Sequence, residues 1–105
     1  MFQATDNRFA TIAVASQLPD TLIDALWLII DQDLQGVFPL QNLLHFKLKA
    51  TDQNNVQITF DSEATGDQIA FDTTAAYHNS YPEMILAYDD GRSQTILLPS
   101  DVDQD

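Results

Sequence analysis

The sequence predicts an α+β domain: a single helix packed on a mostly antiparallel sheet of five to six strands, in the order β-α-β-β-β-β-β. Three observations carry this. One stretch, residues 19–35, repeats its apolar side chains at the helical period. From residue 42 onward the period drops to two, in short runs separated by turn clusters. The segment 89–92, Asp-Asp-Gly-Arg, closes a tight hairpin between the last two runs. Consecutive hairpins make an antiparallel sheet, and one helix laid across it buries one of its faces. The 105 residues, 45% apolar and 19% charged, suit one domain, 1–105, whose core needs no staples.

Residues 9–15 (Phe-Ala-Thr-Ile-Ala-Val-Ala) hold β-branched side chains and no turn residue, and read as the first strand. The helix follows. Pro19 suits its first turn, where a missing N–H has no helical partner to lose. Asp20 and Asp24 lie near the positive end of the helix dipole. Leu22, Ile23, Leu26, Trp27, Ile29, Ile30 and Leu34 span an arc of roughly 160°, wider than a one-sided contact requires, and Leu28 falls outside it. Gly36 supplies the left-handed stop. Asp31 and Asp33 sit at the wrong end for the dipole, and no local rule accounts for them.

Residues 37–41 contain Pro39 and form a connector. Leu44, Phe46 and Leu48 then alternate with His45, Lys47 and Lys49, and Val56, Ile58 and Phe60 with Gln57, Thr59 and Asp61. With the turn cluster 51–55 between them, these make the clearest hairpin in the chain, and Asp61 is placed to face the lysines. Residues 64–67 turn again, and Ile69 and Phe71 mark a third strand of the meander. Residues 73–80 show no clean period and read as a loop with room for one helical turn. The near-continuous apolar run within 83–88 reads as a strand buried on both faces. Residues 93–98 are its hairpin partner, stopped by Pro99, and 100–105 form an acidic, frayed tail.

Three stretches together resemble a known family. They are Met1-Phe2 with Arg8-Phe9-Ala10-Thr11, then Leu22 and Leu26-Trp27-Leu28-Ile29 with Asp31, and above all the hairpin from Asp89 to Leu98. The resemblance is to the small family catalogued as domain of unknown function 960, found mainly in Gram-positive bacteria. It implies a small single domain in a bacterial cytosol and carries over no catalytic or binding residue.

The charge narrows the function. Sixteen acidic residues against Arg8, Lys47, Lys49 and Arg92 give a formal charge of -12. Direct binding to nucleic acid needs several cations neutralising phosphates at once, and four dispersed ones in this field do not supply it. Attraction to an anionic membrane fails for the same reason. Without cysteines there are no disulfides, thiolate metal sites or cysteine nucleophiles. The N-terminus lacks a basic region followed by an apolar run, and the longest apolar run is 25–30, far short of a membrane span, so a cytoplasmic location is expected.

Acid–base chemistry would draw on His45 or His78. His78 and Ser80 with an aspartate resemble a triad only on paper, since no nucleophile-elbow motif accompanies them. The run 101–105 imitates the first ligands of a calcium loop but lacks its glycine and glutamate. No phosphate loop, dinucleotide fingerprint or zinc spacing is present, so no cofactor or metal is expected.

The remaining signal is apolar surplus. One helix covers one face of a six-strand sheet, and open apolar strand faces are where proteins meet. The candidates are Trp27, Leu28, Ile85 and Tyr88. The preferred reading is a non-enzymatic interaction module or homodimer, with a protein or a second copy as partner. A nucleic-acid mimic that binds a basic protein is one alternative, and a small histidine-dependent enzyme is another. In the competing structural reading, the 73–81 loop and the N-terminus roof the second face. Self-repulsion at this charge also gives a direct expectation: the melting temperature rises between low salt and about 0.15 M ionic strength. A flat or falling response in a thermal scan would mean that the acids are mostly paired or far apart.

Overall fold

The computed structural model describes residues 7–34, 42–62 and 65–102. Within them the chain forms a six-strand mixed sheet and a few short helices. The strands are β1 (Arg8–Ala10), β2 (Leu43–Ala50), β3 (Asn55–Asp61), β4 (Gln68–Ala76), β5 (Met84–Asp89) and β6 (Gln94–Leu97). They lie in the order β1-β6-β5-β2-β3-β4. All neighbours are antiparallel except β1 and β6, which run parallel, with Phe9 opposite Thr95.

The first predicted strand is much shorter than expected. After three residues the chain turns into helix α1 (Ile12–Gln17). Thr11 is the reason: its side chain accepts a hydrogen bond from the Val14 N–H and caps the helix, while its own N–H still bonds to the Ile96 carbonyl on β6. The expectation of a single helix is corrected in a second way. Helix α2 (Asp20–Leu28) continues as a π-helical segment, Ile29–Leu34, so the long predicted helix has two pitches. At the α pitch Ile29 and Leu34 would point about 140° apart. The wider i→i+5 turn brings both inward, and Ile29, Ile30 and Leu34 are all buried. The predicted stop at Gly36 and the 37–41 connector lie outside the described residues.

The predicted loop at 73–80 begins as strand. β4 runs to Ala76, with Ile69, Phe71, Thr73 and Ala75 half-buried and their neighbours exposed. Alanine and threonine are too small or too polar to show this alternation in a hydropathy pattern. β4 also bulges against β3: Asn55 faces Ala76 whereas Gln57 faces Asp72. Thr73 holds the irregular step by donating its hydroxyl to the Val56 carbonyl. At the other end of the chain, Pro99–Val102 forms a helical turn, α3, where fraying was expected. The Asp101 carboxylate accepts from the Leu98 N–H and the Thr11 hydroxyl, 2.9 and 2.8 Å away, which ties α3 to the start of α1. Residues 103–105 lie outside the described residues.

The core occupies one face of the sheet. Phe60, Phe46 and Ile85 stand in register across β3, β2 and β5, and Leu44, Ala87 and Ile96 across β2, β5 and β6. Val14, Leu18, Leu22, Leu26, Ile30 and Leu34 from the helical segments cover them. The β5–β6 turn is set by Asp90, whose carboxylate accepts from the backbone N–H groups of Ser93 and Arg92. Those bonds hold the Asp90 carboxyl below its ordinary range.

Candidate functional site

The opposite face of the sheet carries a row of apolar side chains. Alternation puts Phe9, Tyr88 and Leu43 on it, in one register row that Thr95 completes. The next row holds Leu97, Leu86 and His45, and Met84 stands beside Lys47 in the one after. Among the described residues, none of these side chains belongs to the helix-covered core. Phe9 is 56% exposed and Tyr88 41%. Leu86 is buried although it lies on the face opposite the core row.

Charge on this face differs from charge on the molecule. From the described strands it receives Lys47 and Lys49 on β2, Asp61 on β3 and Asp72 on β4, two of each sign. The remaining described acids are spread over helices, turns and the end of β5, among them Asp20, Asp24, Asp52, Asp67, Asp89, Asp90 and Asp101. Asp61 stands opposite His45 rather than the lysines, which face Thr59 and Gln57.

The four residues singled out by the sequence separate. Tyr88 lies, exposed, on the face opposite the helix-covered core. Leu28 is exposed on the outer side of α2, away from that surface. Trp27 is half-buried against the core, with the Arg8 guanidinium 4.6 Å above its ring. Ile85 is fully buried among the helices and offers no surface to a partner. The apolar run around it was ambiguous because both faces of β5 are apolar, so hydropathy does not say which one the helices take. Phe9, Leu43 and Leu97 were missed. The signal was their alternation with Ala10, Leu44 and Ile96, which becomes readable only when β1, β2 and β6 are aligned.

Arg8 organises the edge of this surface from the other side. Both terminal guanidinium nitrogens donate to Asp31, at 2.8 and 2.6 Å, and Nε donates to Gln94 Oε1 at 2.9 Å. Asp31, which no local rule explained, thus fastens the π-helical segment to β1. The histidines sit at opposite ends of the sheet. His45 lies on β2, while His78, beyond β4, stacks edge-on against Tyr81 at 5.3 Å. Among the described residues His78 has no serine or carboxylate partner, and no cluster of histidine and acidic side chains is placed to hold a metal. No described helix is long and apolar enough to cross a membrane.

A family pattern described as Staphylococcal protein of unknown function (DUF960) matches residues 7–101. The chain belongs to this family. It is also similar to a solved structure, the crystal structure of a protein of unknown function from Enterococcus faecalis, at 43% identity and a TM-score of 0.90. The likeness covers 95% of this chain and 93% of that one. None of the curated proteins matches the chain. The DUF960 match establishes the family and the solved structure the fold, and an activity has to be argued from the surface itself.

Proposed function

We propose that the protein is a non-enzymatic, cytoplasmic interaction module that self-associates through the open face of β1, β6, β5 and β2. The observation that carries this is the row Phe9, Thr95, Tyr88 and Leu43, apolar but for Thr95 and part-exposed on the face opposite the core. Charge supports a second copy as the occupant. Two chains of formal charge -12 repel over most of their surfaces. They approach at least cost where lysines and aspartates balance, and this face has that balance. An isologous pairing also lets Lys47 and Lys49 of one copy meet Asp61 or Asp72 of the other.

Magnitude limits the affinity. Four strands about 4.8 Å apart and roughly five residues long present a footprint of about 300 Å². A standard interface takes about 800 Å² from each partner, so the pairing is a transient one with a dissociation constant in the micromolar range or weaker. Sedimentation velocity across about 1–300 μM should show a concentration-dependent shift from monomer to dimer. Tyr88→Glu, which buries a charge in the centre of the contact, should hold the chain monomeric throughout, while Leu28→Glu should leave the shift unchanged. A wild-type chain that stays monomeric over that range overturns the proposal, as does a dimer indifferent to Tyr88→Glu.

A further inference from the structure

At the far end of the same sheet lies a cleft of about 500 Å³, lined by Lys47, Lys49, Ala50, Tyr77, Glu83 and Met84. Strand lengths produce it. β2 is paired with β3 as far as Ala50, but its ladder with β5 ends at Met84, extended by one bond from the Leu48 N–H to the Glu83 carbonyl. Beyond Glu83 the described residues show no further backbone bond between β2 and β5. Backbone groups alternate along an antiparallel strand, so Ala50, two residues beyond Leu48, directs its N–H to the side that β5 has vacated. The cleft therefore combines a backbone donor with Tyr77, Met84 and two lysines.

Those two ammonium groups are half of the chain's four cations. They project from the same face of β2, two residues apart. Among the described residues the ion pair between Arg8 and Asp31 is formed, and neither lysine has a carboxylate within 4.0 Å. Unpaired neighbouring lysines repel each other, and in a chain with sixteen acids they remain together over an otherwise mixed apolar and polar cleft. Glu83 on the rim leaves the lining with a net charge of one positive. The volume falls in the range of small-molecule sites rather than of bare ion sites.

We propose that this cleft binds a small oxyanion-bearing molecule, its carboxylate or phosphate group held by Lys47, Lys49 and the Ala50 N–H, and its apolar body against Tyr77 and Met84. The single excess charge of the lining suits one anionic group rather than a polyanion. This reading does not require self-association, but Lys47 and Lys49 also stand on the face proposed to pair, so the Tyr88→Glu background is what separates the two.

Backbone amide NMR of the full chain, with Tyr88→Glu as a second, dimer-independent background, tests it. Inorganic phosphate and butyrate are titrated separately at constant ionic strength, to about 20 mM. Saturable shifts are expected at Lys49, Ala50, Tyr77 and Met84 in at least one arm. Phosphate alone would identify a phosphorylated ligand, butyrate alone a carboxylate, and both the shared oxyanion chemistry. Lys47→Gln and Lys49→Gln should each weaken binding about three- to tenfold, and Arg92→Gln should not. No saturable shift in either arm, or shifts equally large around Arg92, would overturn the proposal.

Discussion

Phe46→Ala should destabilise the protein by about 3–5 kcal/mol, the largest effect expected of any single truncation. Phe46 is fully buried at the centre of the sheet, with β3 on one side and β5 on the other. Its ring meets Phe60 at 5.5 Å in a tilted contact, and it shares a register row with Ile85. Removing it loses both the transfer free energy of the ring and the contacts of everything that lined it, since strands held on both sides cannot collapse into the gap. A domain of this size is stable by only about 5–15 kcal/mol, so the variant should melt roughly 15–30 °C lower and remain marginal at growth temperature. Phe46→Leu fills most of the volume and should recover more than half of the loss. Urea unfolding of the three proteins measures this through the midpoint, with the slope unchanged. A loss below about 1.5 kcal/mol would contradict the packing described for this row.

Asp31→Ala should cost about 1.5–3 kcal/mol, more than an exposed ion pair and less than a fully buried one. The side chains of Arg8 and Asp31 are 15% and 29% exposed, so water screens the pair incompletely. The bidentate geometry adds hydrogen bonds that a point charge lacks. Asp31→Ala leaves the guanidinium with Gln94 and the Trp27 ring but no anion. Arg8→Met keeps much of the apolar stem over Trp27 and removes the charge, so it should be the milder change. The double variant should lie closer to Arg8→Met than to the sum of the two losses, with a coupling of about 1–2 kcal/mol in a double-mutant cycle. Additive losses would mean that the pair does not act as a unit. The effect should be local as well as global. β1 is a three-residue edge strand, and this pair together with the parallel ladder to β6 holds it. Amide exchange in β1 should therefore accelerate first in Asp31→Ala. Because Phe9 lies on that strand, the same variant should also weaken the proposed dimer.

How much was legible depended on whether the deciding interaction was local. The β2–β3 hairpin could be read because each apolar side chain is flanked by polar ones, and a half-buried strand imposes that pattern on neighbours two residues apart. The β5–β6 turn could be read because the Asp90 carboxylate bonds to groups two and three residues away. The strand predicted over 9–15 failed at Thr11, where a helix cap outweighed β-branched propensity. The loop predicted over 73–80 failed because alanine and threonine hide a period of two. In the candidate surface, Tyr88 could be found as an aromatic in an apolar run, whereas Ile85, three residues before it, went to the core. Only the position of the helices separates the two.

Alone, the sequence determined the α+β class, the positions of the middle hairpins, the apolar inner face of α2 and an acidity that disfavours direct contact with nucleic acid. Each follows from side-chain chemistry repeated over a few neighbouring residues. The tertiary structure decided the parallel pairing of β1 with β6, the widening of the second helix, the partnership of Arg8 with Asp31 and which apolar face of the strands the described helices cover. Those outcomes depend on contacts between segments 23 to 86 residues apart in the chain. Their energies arise only when the segments are brought together, so no local pattern encodes them.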